Sequence, residues 1–308
     1  MAADASVWVF APSPLLTVTV ERSPEASEVH LHVGGQGYWL ARLIRAFGLR
    51  VVVSASFGGE TGRVLESLLA AEGFEVRSIK AAGSNGAYVH DRRSGERVEV
   101  AEMCPAPLAR HEIDDLYGAS LVAGLDASVC VLGGPPNPSV VAADIYRRLA
   151  GDLRANGKTV VADLSDTLAE AVLDGGVSIL KMSEDQLPGS DRRRGVPGLV
   201  EAMKRLAAAG AESVVISRGD QPALALLDGR LVEARGPRLA PVDDTGRCDS
   251  LTAGMAAALA EGKDLDDALR LGVAAGSLNV TRRGLGSGRR EDTERLAQRV
   301  ELFEVNDP

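Results

Sequence analysis

The sequence predicts an α/β protein: a doubly wound, mainly parallel sheet with helices on both faces and a small β-sheet lid. Three observations lead there. The second half of the chain alternates short β-rich runs with longer helical patterns, the first third carries polar, alternating segments of a different kind, and 308 residues, 45% hydrophobic and 25% charged, suffice to bury one large core with a small appended subdomain. A single domain over residues 1–308 is expected, with the lid drawn from about residues 15–33 and 76–101.

In the first third, Thr17–Glu21, Val29–Val33, Gly86–His90 and Arg97–Ala101 read as antiparallel strands with one wet face, which suits a sheet projecting over a cleft. A glycine cluster, Gly34-Gly35-Gln36-Gly37, separates one of these strands from an amphipathic helix over Tyr38–Phe47. Farther on, strands are predicted at Ser128–Leu132, Thr159–Asp163, Ser178–Lys181 and Ser213–Ser217. Apolar-periodic helices such as Val140–Ala150 and Leu199–Ala208 lie between them, each closed by Gly or Asn-Gly. That is the rhythm of right-handed βαβ units. Asp191–Gly195 reads as a solvated basic loop.

Composition excludes several classes of function. A net charge of −9 with interspersed signs argues against nucleic acid and anionic membrane as partners. Cys104, Cys130 and Cys248 fit neither a disulfide framework nor a zinc-ligand spacing, so a reducing compartment is expected. Met1–Phe10 has no basic n-region, and no run reaches about 18 uninterrupted apolar residues. The expected location is the cytoplasm.

Chemistry concentrates at Pro241–Gly254, PVDDTGRCDSLTAG. Polar turn residues lead to Gly246, Asp249 follows three residues later, and a helix of small residues continues through Ala260. Such a turn aims backbone N–H groups and the positive end of a helix dipole at one point, where a phosphate is well held. Asp249 there serves as a general base, or else as a plain N-cap. The Gly34–Gly37 cluster lets a backbone approach a ligand closely, or simply turns a strand into a helix.

Taken in order, GGQG at Gly34, GGETG at Gly58–Gly62, Asp163-Leu164-Ser165 after a strand, and TGRCD ending at Asp249 resemble the PfkB (ribokinase-like) family of carbohydrate kinases. The likeness extends from Phe10 to Val300 and is nearest the phosphofructokinase and tagatose-phosphate-kinase branch. In that family the first motif reads GGKGxN and binds the sugar; the last reads DTxGAGD and holds the anion hole and the catalytic Asp. The resemblance implies that Gly34, Gly35, Gln36, Gly37 and Trp39 bind substrate, and that Gly246, Arg247, Cys248 and Asp249 form the catalytic turn. It places Lys181, Ser183, Ser217, Gly219, Asp220, Thr245 and Asn279 at the nucleotide and Glu184 at a metal. ATP and Mg2+ are the implied cofactors, a small sugar-like acceptor the implied partner, and a homodimer through the lid the implied assembly.

Departures from the pattern gather at the sugar side. Gln36 stands for the family's Lys and Trp39 for its Asn; Ala11-Pro12-Ser13-Pro14-Leu15 replaces NPALD, and Ser84-Asn85-Gly86-Ala87 replaces TRxN. These changes remove charge and hydrogen-bonding capacity, so fructose 6-phosphate is not the expected acceptor. On the nucleotide side KPNxxE reads Lys181-Met182-Ser183-Glu184-Asp185-Gln186. Gln186 supplies no charge there, leaving Glu184 or Asp185 to do so. Cys248 occupies a glycine's place, which costs on the order of 1 kcal/mol if the position needs a positive φ. Arg247 either adds a cation for a phosphate or plugs the pocket.

The remaining polar candidates carry bland readings as well. His30, His32, His90 and His111 are scattered, and His30 and His32, alternating with Leu31, face the cleft or lie on a solvated strand face; Tyr38 and Trp39 stack on a ring-shaped acceptor or merely pack; Ser217–Asp220 contacts nucleotide phosphates or makes a β-turn. Two functions compete: an ATP-dependent kinase acting on a hydroxyl of a sugar-like acceptor, and a noncatalytic descendant of that fold that binds a nucleotide or metabolite as a regulator.

Overall fold

Every residue of the first strand, Ser6–Phe10 (β1), is buried, and its side chains divide by parity: Val7 and Val9 enter one apolar layer, Trp8 and Phe10 the other. A strand buried on both sides belongs inside a sheet covered on both faces. The computed structural model, which describes residues 5–24, 26–135, 137–282 and 284–305, places it there.

The chain continues through Leu15–Arg22 (β2), Ser27–Gly34 (β3), Arg50–Phe57 (β4), Glu75–Lys80 (β5), Ala87–Asp91 (β6) and Val98–Met103 (β7). The later strands are Val129–Gly133 (β8), Thr159–Asp163 (β9), Val177–Ser183 (β10), Ala211–Arg218 (β11), Gln221–Leu227 (β12), Arg230–Arg235 (β13) and Glu301–Glu304 (β14). Helices are Gln36–Ala46 (α1), Gly59–Ala71 (α2), Arg110–Asp126 (α3), Ala143–Ala155 (α4), Asp166–Gly175 (α5), Gly189–Arg193 (α6), Gly195–Ala208 (α7), Arg247–Ala260 (α8), Leu265–Asn279 (α9) and Arg290–Ala297 (α10).

Among the described residues the large sheet runs β14-β13-β12-β11-β10-β9-β8-β1-β4-β5. It is parallel from β5 to β11 and antiparallel from β11 to β14. Apolar faces of α1, α2, α8 and α9 cover one side; α3, α4, α5 and α7 cover the other. Strand β1 has β4 on one flank and β8 on the other, with Val9 opposite both Val53 and Val131. The order of winding reverses there, and in such sheets the crevice beyond the carboxyl ends of the strands is where ligands bind.

A separate sheet of order β3-β2-β6-β7 is formed by the alternating segments of the first third, with β2 and β6 parallel and the other pairs antiparallel. One boundary differs from expectation. Residues 76–80 lie in β5, the edge of the large sheet, and the second part of the small sheet begins at Ala87. An edge strand is half-exposed, so it shows the same half-polar pattern as a sheet with one wet face. The basic stretch at Asp191 is likewise a helical turn, α6, with Asp191 buried and bound by Arg205 at 2.6 Å. No helix among the described residues is long and apolar enough to cross a membrane.

Candidate active site

The segment entering α8 is fixed before the helix begins. The amides of Val242 and Asp243 bond to the Val280 carbonyl at 2.7 and 3.1 Å, Asp243 Oδ1 accepts the Thr245 N–H at 3.0 Å, and Asn279 Nδ2 donates to the Thr245 carbonyl at 2.7 Å. Gly246 follows with φ 78 and ψ 7, a left-handed conformation. A Cβ there would fall 2.9 Å from Leu285 and 3.3 Å from Asn279, so glycine is required by both conformation and space.

Helix α8 starts at Arg247, with Gly246 as its N-cap residue. Asp249 is therefore the third helical residue and not the N-cap. Cys248 lies inside the first helical turn, and it is not among the described non-glycine residues with positive φ, so the strain anticipated at that position does not arise. Among the described residues the amides of Gly246, Arg247, Cys248 and Asp249 have no hydrogen-bond acceptor. They form the open positive end of a 14-residue helix.

Asp249 is half-buried, and its surroundings come from four elements. Gln36, at the start of α1, hydrogen-bonds its carboxylate. The Gln36 Oε1 is itself held by the Gly134 N–H at 2.7 Å, beyond the end of β8. Beneath lie Asp163, from the end of β9, and Lys181, from β10, both side chains 1% exposed; Lys181 Nζ is 3.3 Å from each Asp163 oxygen. Thr252, one turn along α8, donates to Asp163 Oδ2 at 2.5 Å and lies 3.2 Å from the Cys248 carbonyl. Burial, then the Asp163 charge, pushes the Asp249 carboxyl up to about 7, against the opposing pull of Lys181 and Gln36. Burial is the largest influence on Lys181 and disfavours its cation. The charges around it, Asp163 first and then others including Asp249, together with the bond to Asp163, outweigh burial and raise its pKa above the ordinary lysine range.

On the other side of the cleft, Gly34, Gly35, Gln36 and Gly37 form the turn from β3 into α1. A Cβ on Gly37 would lie 2.4 Å from that of Ala11, so the missing side chain is what lets α1 abut the end of β1 and carry Gln36 to Asp249. Trp39 packs edge-on against Tyr38 with ring centres 4.7 Å apart and lies under the Arg42 guanidinium. Tyr38 donates to Glu72 at 2.7 Å. Asn85 is 3% exposed and bonds the Gly58 amide and the Pro14 and Ser56 carbonyls, fixing the loop after β1. His30 and His32 stack 6.0 Å apart on β3.

A cavity of about 870 Å³ opens on the far side of α8. Ser217, Gly219, Asp220 and Arg247 line it, opposite an apolar wall of Leu251, Val273 and Val280. Arg247 strides across its mouth, donating to the Gly219 carbonyl and, at 2.8 Å, to Asp244. Of the other residues expected at a nucleotide, Lys181 is buried under Asp249, Ser183 turns its amide to Gln186 at 2.7 Å, and Thr245 and Asn279 bond each other. Glu184 pairs with Arg218 at 3.4 Å. Among the described residues no group of three or more His, Cys, Asp or Glu side chains could hold a metal. Sequence reasoning missed the apolar wall. The wall comes from α8, α9 and Val280 at the end of α9, apolar positions that look like ordinary helix core, and the Pro- and Gly-bearing stretch 236–241 is the sequence feature that could have marked the region as irregular.

A twisted parallel sheet with a crevice at its switch point and a small sheet beside it defines the ribokinase-like class of α/β proteins. The chain matches the model of the pfkB family carbohydrate kinases over residues 9–292 and belongs to that family. It is 27% identical over 274 residues to the ATP-dependent 6-phosphofructokinase isozyme 2 of Escherichia coli strain K12, covering 85% of this chain and 86% of that one. The tetrameric inhibited form of phosphofructokinase-2 from Escherichia coli superposes with a TM-score of 0.81 at 24% identity, over 96% and 98% of the two chains. A possible 1-phosphofructokinase from Thermotoga maritima does so at 0.83 and 14% identity, over 98% and 100%.

Proposed function

We propose that the protein is an ATP-dependent kinase that phosphorylates a hydroxyl of a small sugar-like acceptor, with Asp249 as general base and the amides of Gly246 to Asp249 as anion hole. The observation that carries this reading is the placement of one carboxylate, oriented by Gln36, at the open N-terminus of a helix whose residues Arg247 and Leu251 also line a nucleotide-sized cavity. The carboxylate takes the proton from the attacking hydroxyl. The amides meet charge developing on the transferred group, a kind of stabilisation worth roughly 10²–10³ in rate per donor. Relatives named as ATP-dependent phosphofructokinase support ATP as the donor.

The cavity suits a nucleotide, with Ser217, Gly219 and Asp220 beside the phosphates and the apolar wall against the base. Asp163 is committed to Lys181 and Thr252 and Glu184 to Arg218, so Mg2+ would be held mostly by the phosphates and water, as is usual for phosphoryl transfer. On the acceptor side Gln36 is engaged by Gly134 and Asp249, leaving at most one neutral N–H, and no cation, with which to hold a sugar phosphate. The small sheet serves as a lid over this cleft, and all three cysteines are free thiols, in keeping with the cytoplasm.

The test is Mg2+-dependent phosphate transfer from ATP to a panel of sugars, sugar phosphates and nucleosides. One non-phosphorylated member is expected to turn over, with fructose 6-phosphate and tagatose 6-phosphate poor by comparison. Asp249→Asn should lower kcat by about 10²–10⁴-fold while leaving ATP affinity within a few fold. Wild-type kcat in that variant would remove Asp249 from the mechanism, and efficient use of either hexose 6-phosphate would refute the reading of Gln36.

A further inference from the structure

Arg92 stands just beyond β6, in the connection to β7, and Asp243 stands in the segment that leads into α8. Their side chains meet at 3.3 Å across 151 residues of sequence, 24% and 19% exposed. The two oxygens of Asp243 divide the work: Oδ1 accepts the Thr245 N–H and Oδ2 faces Arg92. The Thr245 carbonyl is tied to Asn279, and Gly246 with its open amides comes next. A cation of the small sheet is thus one carboxylate removed from the turn that aims the amides.

We infer that Arg92 and Asp243 are positioning residues that couple the seating of the small sheet to the geometry of the Gly246 turn. Arg92 is rigidly part of that sheet, because its own amide bonds the Val20 carbonyl of β2 at 2.8 Å. The neighbouring Arg93 is spent on Asp91, so Arg92 is the guanidinium that reaches the body. Burial opposes the charge on Asp243, but the bonds from Thr245 and the Arg92 cation prevail and hold its carboxyl below the usual range. If the sheet lifts away, Oδ2 is left as a half-buried, unpaired anion, a state that favours rearrangement of the very residue that fixes Thr245. The amide turn is then well formed only when the sheet is seated, so transfer awaits a covered acceptor and water finds the site least competent when it is open.

The consequence for turnover rests on the kinase reading; the mechanical coupling does not, and the experiment separates them. Hydrogen exchange is measured by mass spectrometry on the full chain, with and without Mg2+-ATP, for Arg92→Ala, Asp243→Asn and the double variant. Each single change should speed exchange several-fold in both 87–103 and 241–249, with β8 to β10 unchanged as the control for intact folding. The double variant should exchange no faster than the faster single, and Arg92→Lys should restore most of the protection. Faster exchange confined to 87–103, or additive effects in the double variant, would overturn the coupling whether or not a sugar acceptor is found. With an acceptor in hand, kcat for sugar phosphorylation should fall several-fold in Arg92→Ala and recover in Arg92→Lys; a kcat unchanged from wild type in Arg92→Ala would overturn the consequence for turnover.

Discussion

As the proposed base, Asp249 meets two conflicting demands on a carboxylate, since a base should be basic yet must also be ionised. Burial and Asp163 hold its pKa near 7, while Lys181 keeps it from rising farther. With Asp249 as the proposed base the ionised form is the active one, so kcat/KM should increase as pH rises through about 7 and then level off. Lys181→Met removes the charge that lowers this pKa and should move the inflection upward; Asp163→Asn removes one that raises it and should move it downward. Each also leaves a buried partner uncompensated, a loss of about 3–5 kcal/mol in stability, so the charge-free pair Asp163→Asn with Lys181→Met is the folded control. A profile flat from pH 6 to 8 in the wild type would exclude Asp249 as the titrating base. These residues differed in how plainly the sequence showed them. Asp249 follows a turn and precedes a helix of small residues, a local pattern. Gln36, by contrast, reads as a lost lysine, because its partners Gly134 and Asp249 are 98 or more residues away and no spacing rule joins them.

The α8 element shows how a turn can keep its geometry while changing its letters. The left-handed backbone falls on Gly246, which is glycine, and Cys248 and Arg247 are ordinary first-turn residues. Replacing Cys248 by Gly therefore relieves nothing, and as a helical glycine it should destabilise by about 1 kcal/mol in thermal or denaturant unfolding. Arg247 ties the Gly219 loop to Asp244 across the cavity mouth. Arg247→Ala should release the Gly219 loop and raise the KM for ATP by about ten- to a hundredfold, the value of one charge-assisted hydrogen bond, with a smaller change in kcat. A lower KM would mean that the side chain obstructs the nucleotide instead. At this scale β2, β3 and β6 to β11 were legible, as were α1, α4, α7 and α8, because alternation in strands such as β2 and 3.6-residue periodicity in helices such as α4 are local. The edge strand β5 was not, since the half-polar pattern of Glu75–Lys80 fits either sheet and only its pairing with β4 decides between them.

At the scale of the molecule, the small sheet leaves one face unexplained by a single chain. Across it, Leu31 is paired with Val18, Val18 with Val89, and Val89 with Ala101; in the next row Val29 meets Val20 and Asp91 meets Val98. Near the body this face enters the core through Leu16 and Val33, but farther out Val29 is 65% exposed, Leu31 49% and Val98 49%. β-branched side chains gathered on one side of a sheet whose outer strands are edges are costly to leave in water and invite association. The occupant that fits is a second copy of the same face, since a two-fold contact needs only self-complementarity. The wild-type protein should therefore be a dimer at micromolar concentration by light scattering or native mass measurement. Val29→Asp with Leu31→Asp should yield a folded monomer, because both positions are solvent-facing in the single chain and the core beneath them is untouched. Asp91 lies on the same face, so the added carboxylates would also repel across the two-fold axis. A wild-type monomer, or a double variant that remains dimeric, would show that this face is not the interface.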